Sequence, residues 1–319
     1  MIQNLRRMAR RNRAWVSLRR AQREGWYFTF QKLQTWPRIL RLAPVCTAAS
    51  ATKDVQCEVH LLCSQGDYLS AIWALKSFFT AIGNVALPLT IHFDTNLPPK
   101  VRRRLSQHFP DARIVDRAQA DAVVAPILEK RKLFRVVAAR AASPFILKLT
   151  DFALLSDADN IISFDSDVIF FSKPTELLQA SRAPFDGAFV QRDLGSVYNI
   201  TSEQAIALGW KLPERVNTGI MAFTRSSVDL DACDQLLADS QLARPTGWIE
   251  QTLFALLFER AGQLRFLPPT YLIPVAGDAS RDSDVVARHY AGESRPLLTL
   301  QGMPRFLVQQ TTPRDRNSV

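Results

Sequence analysis

The sequence predicts an α/β fold, a single domain with a mostly parallel central sheet. Three observations predict it. From about residue 57 onward, short apolar runs alternate with segments of helical periodicity, which is the pattern of strands joined by crossover helices. Several runs are apolar almost throughout, as strands buried on both faces are. One of them, Ile161-Ile162-Ser163-Phe164, ends in Asp165-Ser166-Asp167, and ligands of open α/β sheets bind at such strand ends.

The elements follow in order. Cys57–Cys63 is a strand. Residues 67–79 form a helix, with Leu69, Ile72, Trp73, Leu75 and Phe78 at helical spacing. A strand over 87–93 ends at Asp94, a helix spans 98–109, and a short strand covers 112–115. A helix over 145–155 leads into the strand at 160–164. Further strands are expected near 187–191, 219–223, 264–267 and 285–289, and helices near 202–208, 228–239 and 248–261. There is no repeat, low-complexity tract or long linker after residue 55.

A chain of 319 residues, 47% apolar and 22% charged, is an ordinary globular composition able to bury one large core or two modest ones. No apolar run approaches the roughly 18 residues that span a bilayer, and the N-terminus lacks an apolar signal-peptide core. The four cysteines show no Cys-x-x-Cys spacing, so they are expected to be reduced packing residues in a reducing compartment, the cytoplasm. The net charge of +10 is concentrated. Residues 1–45 hold eleven Lys or Arg and a single acid, Glu24, whereas residues 46–319 hold 29 basic and 29 acidic residues. The chain therefore divides into a basic extension, 1–50, and a neutral body, 51–319. The extension interleaves arginines with Trp15, Trp26, Tyr27, Phe28, Phe30 and Trp36. An amphipathic, basic and aromatic helix suits an anionic membrane surface. It equally suits a helix packed on the body with its arginines solvated. An Arg-rich, acid-poor targeting peptide fits the composition too. Nucleic acid is disfavoured as a partner, because no RNA or DNA module follows.

Asp-x-Asp occurs four times, at Asp157/Asp159, Asp165/Asp167, Asp229/Asp231 and Asp282/Asp284. Spacing alone does not choose between them; context does. Asp157/Asp159 lie in a turn, Asp229/Asp231 fall where a helix starts and suit its dipole, and Asp282/Asp284 follow a polar stretch. Asp165 and Asp167 follow a buried run, and in an extended chain residues i and i+2 point the same way. Two hard oxygen ligands on one spot suit Mg²⁺ or Mn²⁺ with a phosphate-bearing partner. Of the four histidines, His60, His92 and His108 fall within predicted elements and are expected to be structural. His289 closes a strand in His289-Tyr290-Ala291-Gly292-Glu293-Ser294-Arg295-Pro296. An imidazole beside carboxylates suits Mn²⁺, Gly292 lets backbone approach a ligand, and Arg295 pairs with phosphate oxygens.

These motifs, in this order, resemble the nucleotide-sugar-dependent glycosyltransferases of the GT-A (Rossmann-like) fold, and family 8 most closely, the family of glycogenin and bacterial lipopolysaccharide hexosyltransferases. The resemblance covers roughly residues 57–296. It implies that Cys63, Ser64 and Tyr68 belong to the nucleotide-binding first strand and loop, with Tyr68 stacked on uracil. It implies that Lys148 helps hold the donor and that Phe164-Asp165-Ser166-Asp167 is the metal motif. Val216-Asn217-Thr218-Gly219-Ile220 resembles Phe-Asn-Ser-Gly-Val, whose Asn touches the donor sugar. Glu250-Gln251 takes the place of an Asp-Gln pair near the reaction centre. His289-x-x-Gly292-x-x-Arg295-Pro296 resembles His-x-x-Gly-x-x-Lys-Pro-Trp. Three positions depart from the family pattern: Arg295 replaces Lys, Leu297 replaces Trp, and Glu250 replaces Asp.

The implied activity is transfer of a hexose from a UDP-sugar to the hydroxyl of a glycan, lipid-linked or protein acceptor, with retention at the anomeric carbon. Asp165, Asp167 and His289 are the implied ligands of Mn²⁺ or Mg²⁺. Lys148, Glu250 and Gln251 are the candidates at the reaction centre, and Cys63, Ser64, Tyr68, Asp165, Ser166, Asn217, Gly292 and Arg295 are the candidates for holding the donor. The loop at 191–201 and the tail after Arg295 are expected to shape the acceptor site. The rival readings are an inverting GT-A enzyme, a non-catalytic sugar-nucleotide or glycan-binding relative, and a surface-binding protein defined by residues 1–45.

Overall fold

A computed structural model describes residues 25–48, 56–182, 185–262, 264–274 and 285–311. Most of the basic extension and the Asp282/Asp284 pair lie outside the described residues. Helix α1, Trp26–Thr35, runs into a 3₁₀ turn at Trp36–Arg41. Strand β1 (Cys57–Cys63), helix α2 (Tyr68–Ile82) and β2 (Leu89–Phe93) follow, then α3 (Pro99–His108) and β3 (Arg113–Val115). Helices α4 (Arg117–Lys130), α5 (Phe134–Ala142) and α6 (Ile146–Leu155) lead to β4 (Asn160–Phe164) and β5 (Val168–Phe170). After these come β6 (Ala188–Arg192), α7 (Ser202–Ala207), β7 (Val216–Thr224), α8 (Leu230–Leu236) and α9 (Ile249–Arg260). The chain closes with β8 (Leu264–Phe266), β9 (Tyr271–Leu272), β10 (Ala287–His289), short turns over 292–302 and α10 (Met303–Thr311).

The main sheet has the order β3-β2-β1-β4-β7-β6-β8. Its pairings are parallel except where β7 meets β4 and β6, so the expected mostly parallel sheet is present. The remaining strands form a second sheet, β5-β10-β9. Alternation along the strands sends side chains to two cores. Val59, Leu61, Ile162 and Phe164 join Trp73 and Phe78 of α2 on one face. Ile161, Val190 and Phe223 join Phe152 of α6 and Phe254 of α9 on the other. Ile39 is fully buried in the first core, and Ala48 bridges Pro88, so the chain from Thr35 to Ala48 packs against the body.

Helices α4 and α5 lie where the sequence pattern assigns no element. Pro126 stands inside α4, yet Asp116 and Gln119 close a capping box at its start and fix where it begins. Asp229 caps α8 by accepting from the Ala232 amide, as its position in the sequence suggests. No described helix is long and apolar enough to cross a membrane.

What positions the site is the junction between the two sheets. Phe164 ends β4 opposite Ile220, and Val168 begins β5 opposite His289. Phe78, Phe164 and Phe170 pack as a triangle with centroids 4.9–5.1 Å apart. Such aromatic pairs add about 0.5–1.5 kcal/mol each beyond their burial, and this triangle clamps both ends of the segment that carries the two aspartates.

Candidate active site

Asp165 and Asp167 converge, though by a different route from the one their spacing suggests. The segment is a tight turn, closed by the Val168 amide donating to the Asp165 carbonyl at 3.2 Å, and not an extended chain. The Asp165 amide donates to Gly219 O at 2.9 Å, and the Tyr290 amide donates to Asp167 O at 2.9 Å. The turn is thus held between β7 and the residue after β10, beneath His289.

The potential ligand atoms of Asp165, Asp167 and His289 all lie within 4.8 Å of one another. His289 Nε2 is 3.6 Å from Asp165 Oδ2 and 3.4 Å from Asp167 Oδ1. The other ring nitrogen, Nδ1, meets Gln191 Oε1 at 3.0 Å. An amide oxygen only accepts, so Nδ1 carries a proton and donates, and Nε2 is the ring atom turned toward the carboxylates. Asp167 Oδ1 is buried without a hydrogen-bond partner. A buried acceptor left unmet beside an imidazole nitrogen is what a cation would satisfy. Two carboxylates and one imidazole match the preferences of Mn²⁺ or Mg²⁺, and the residues present fit such an ion.

Gly219 explains why His289 fits. A Cβ there would stand 2.0 Å from His289 Cε1 and 2.3 Å from Nδ1. Any side chain at 219 would occupy the space of the imidazole.

Lys148 Nζ reaches Asp165 Oδ1 at 2.5 Å and lies 3.7 Å from Glu250 Oε1. Burial depresses its pKa, but Asp165 and Glu250 outweigh that and hold it above its ordinary value. Burial raises the Asp165 carboxyl, and Lys148 and His289 override it downward. Burial lowers His289, and Asp167 and Asp165 override it upward. Glu250 differs. Burial pushes it up, Lys148 only partly offsets this, and it stands at about 7. Thr218 Oγ1 donates to Glu250 Oε2 at 3.0 Å, while Oε1 has no hydrogen-bond partner.

A cavity of about 230 Å³ opens here, lined in part by Cys63, Ser64, Asp67, Phe145, Lys148, Ser166 and Arg295. Arg295 Nε lies 3.6 Å from Asp167 Oδ2, and its Nη2 lies 3.4 Å from Asp67 Oδ1. Gly292, three residues before Arg295, has φ +54°, a left-handed conformation that glycine adopts freely.

Six of the residues singled out from the sequence do not line this cavity: Glu250 and His289, which touch its lining through Lys148 and Asp167, and Tyr68, Asn217, Gln251 and Gly292. Tyr68 is half-buried at the start of α2, and Arg104 donates to its hydroxyl. Asn217 donates to Asp193 Oδ2 at 2.8 Å and accepts from the Gly219 amide at 2.9 Å. It thereby fixes the bend that seats Gly219. Gln251 donates to Val197 O at 2.9 Å and ties α9 to the loop at 191–201. Gly292 has open space around it. His60 and His92 bond each other at 2.9 Å in the interior, and Cys57, Cys63 and Cys233 are buried and unpaired. Sequence reasoning missed Gln191, Asp94 and Phe145. The sequence holds a signal for Gln191, an amide closing the apolar run Phe189-Val190, and in the fold it has no exposed surface.

No protein-family model matches the chain, and no curated protein matches it by sequence. Solved structures do match. The galactosyltransferase LgtC in complex with donor and acceptor sugar analogs is 15% identical, with 81% of this chain and 98% of that one covered and a TM-score of 0.50. An active-site mutant of LgtC is 16% identical at the same coverage, with a TM-score of 0.52. Mouse xyloside xylosyltransferase 1 is 17% identical over 77% of this chain and 97% of that one, but its TM-score of 0.46 carries no argument. Identities this low speak to the fold alone. Together with the strand order and the junction between the two sheets, they show that this chain has the GT-A glycosyltransferase fold.

Proposed function

We propose that the protein is a metal-dependent glycosyltransferase that moves a hexose from a UDP-sugar to an acceptor hydroxyl with retention at the anomeric carbon. The observation that carries this reading is the group Asp165, Asp167 and His289, with an unmet carboxylate oxygen and the imidazole Nε2 facing one another, at the strand ends of a GT-A sheet.

Asp165, Asp167 and His289 would hold Mn²⁺ or Mg²⁺. When bound, the ion supplies charge neutralisation to a departing diphosphate. Lys148 and Arg295 flank the carboxylates and would stabilise the same leaving group. Ser64, Asp67 and Ser166 line the cavity and would hold the nucleotide, with Asp94 beside them at the end of β2. Glu250, buried and titrating near neutrality, would be the carboxylate near the anomeric carbon. The fixed amide and hydroxyl network through Asn217, Thr218 and Gln251 would orient donor and acceptor, and such positioning supplies much of the remaining rate.

The test is a panel of nucleotide sugars with Mn²⁺, scoring nucleotide release, with Asp167→Asn run beside the wild type. The reading expects release from at least one UDP-hexose and a drop of at least about a hundredfold in the variant, at an unchanged melting temperature. No release from any donor sinks it, as does equal release by the variant. Nucleotide-sugar binding without release would make the protein a non-catalytic relative.

A further inference from the structure

Helix α1 faces the wrong way for a helix that merely packs on a domain. Trp26, Phe30 and Leu33 stand at i, i+4 and i+7, one apolar stripe of an α-helix. They are 62%, 54% and 72% exposed. Tyr27 beside them is 70% exposed, while the residue buried against the body is Thr35. The helix is nonetheless firmly seated. Trp36 Nε1 donates to Thr299 Oγ1 at 2.9 Å, and Trp73 Nε1 donates to Trp36 O at 3.1 Å. Its orientation is therefore fixed, and the stripe is presented outward by a rigid base.

We infer that this face lies on an anionic lipid bilayer. Two features choose that occupant. The first is charge: residues 1–24, directly before the helix, contain eight arginines and a single acid, and Lys32, Arg38 and Arg41 follow. Arg38 and Arg41 are exposed. In the sequence, the whole net charge of the protein thus falls within residues 1–45, which include this stripe, and the rest of the chain is neutral. The second is residue type: Trp26 leads the stripe and Tyr27 stands beside it, and their amphipathic rings favour the headgroup level of a membrane. An interfacial helix combines an apolar face with flanking basic residues in this way. Thr299, which anchors the helix base, lies only four residues past Arg295, so the docking face and the cavity are joined through one short segment. The inference does not depend on the transferase reading, since the stripe is separate from the metal group.

The experiment is co-sedimentation of the full chain with vesicles of phosphatidylcholine plus phosphatidylglycerol, and with phosphatidylcholine alone, without any sugar nucleotide. The wild type is expected to partition at least about tenfold more strongly to the anionic vesicles, with a dependence on salt. The triple variant Trp26→Ser/Phe30→Ser/Leu33→Ser is expected to lose at least about tenfold of that partition with an unchanged melting curve. Trp26→Phe should abolish part of the blue shift in tryptophan emission on vesicle addition. Failure of the wild type to partition overturns the inference, as does partition of the triple variant equal to wild type. A dimer dissolved by the triple variant in the absence of lipid, or an oligonucleotide bound with the same dependence on the stripe, also overturns it by naming a different occupant.

Discussion

Two buried glutamates serve the same sheet and have been given opposite surroundings. Glu58 in β1 is 1% exposed, and Glu250 in α9 is 2% exposed. Both oxygens of Glu58 are met. Thr90 donates to Oε1, Ser156 donates to Oε2 at 2.9 Å, and His60 Nε2 lies 3.1 Å from Oε2. Burial pushes this carboxyl up, but those partners outweigh it and leave it at about 2. Behind it His60 and His92 continue the chain of contacts, and burial holds His92 neutral. Glu250 keeps one oxygen unmet and stands at about 7. Both regions therefore contain carboxylate and imidazole at full burial. Residue type and burial do not separate a structural carboxylate from a working one. An unmet carboxylate oxygen beside a lysine that lines an open cavity does, because a carboxylate with both oxygens hydrogen-bonded has little left to offer a ligand.

The comparison breaks most visibly at Gly219. Gly219→Ala places a methyl in the volume of the His289 ring and should displace that ligand. The expected result is loss of the Mn²⁺-dependent rise in melting temperature, which reports binding to the folded state, and at least about a hundredfold loss of donor turnover. Overpacking should cost about 1–3 kcal/mol without metal. Full retention of the Mn²⁺ effect would remove His289 from the site.

Glu58→Gln sharpens the other half. The folded value of Glu58 lies below its ordinary 4.5, so its stabilisation is present above pH 4.5 and is lost as pH falls toward 2. Urea unfolding at pH 7 should show a loss of about 3 kcal/mol, from about 1.4 kcal/mol per pKa unit. The difference from wild type should shrink as pH falls through that window. Turnover of the folded fraction should not change. Loss of activity at intact stability would place Glu58 in the wrong class.

The sequence showed most of the sheet and part of the site, for reasons that differ by element. Strands β1 and β4 were legible because burial on both faces leaves an apolar run that little else produces. Helix α4 was not: its buried positions Ala120, Val124 and Leu128 form a narrow stripe among alanines and charges, with a proline inside. Asp165 and Asp167 were legible from the run before them, although it is a turn that makes them converge. The pairing of Gly219 with His289, and of His289 with Gln191 across 98 residues, depends on register between two sheets. A linear pattern holds no record of which glycine makes room for which ring.

The smallest effect tests the comparison most directly, because it carries the opposite sign. The folded value of Glu250, about 7, lies above its ordinary 4.5. Its contribution is therefore present below pH 4.5 and is lost as pH rises through 7. A glutamine resembles the protonated acid at every pH. Glu250→Gln should match wild-type stability near pH 4 and exceed it by roughly 1–3 kcal/mol at pH 8 in the absence of metal. Glu58→Gln should show no such gain at any pH. The same Glu250 variant should lose turnover, since a site that holds an uncomfortable charge trades stability for activity. If Glu250→Gln is instead destabilised at pH 8, the carboxylate is as well satisfied as Glu58. The distinction between the two glutamates, and with it the case for Glu250 at the reaction centre, then falls.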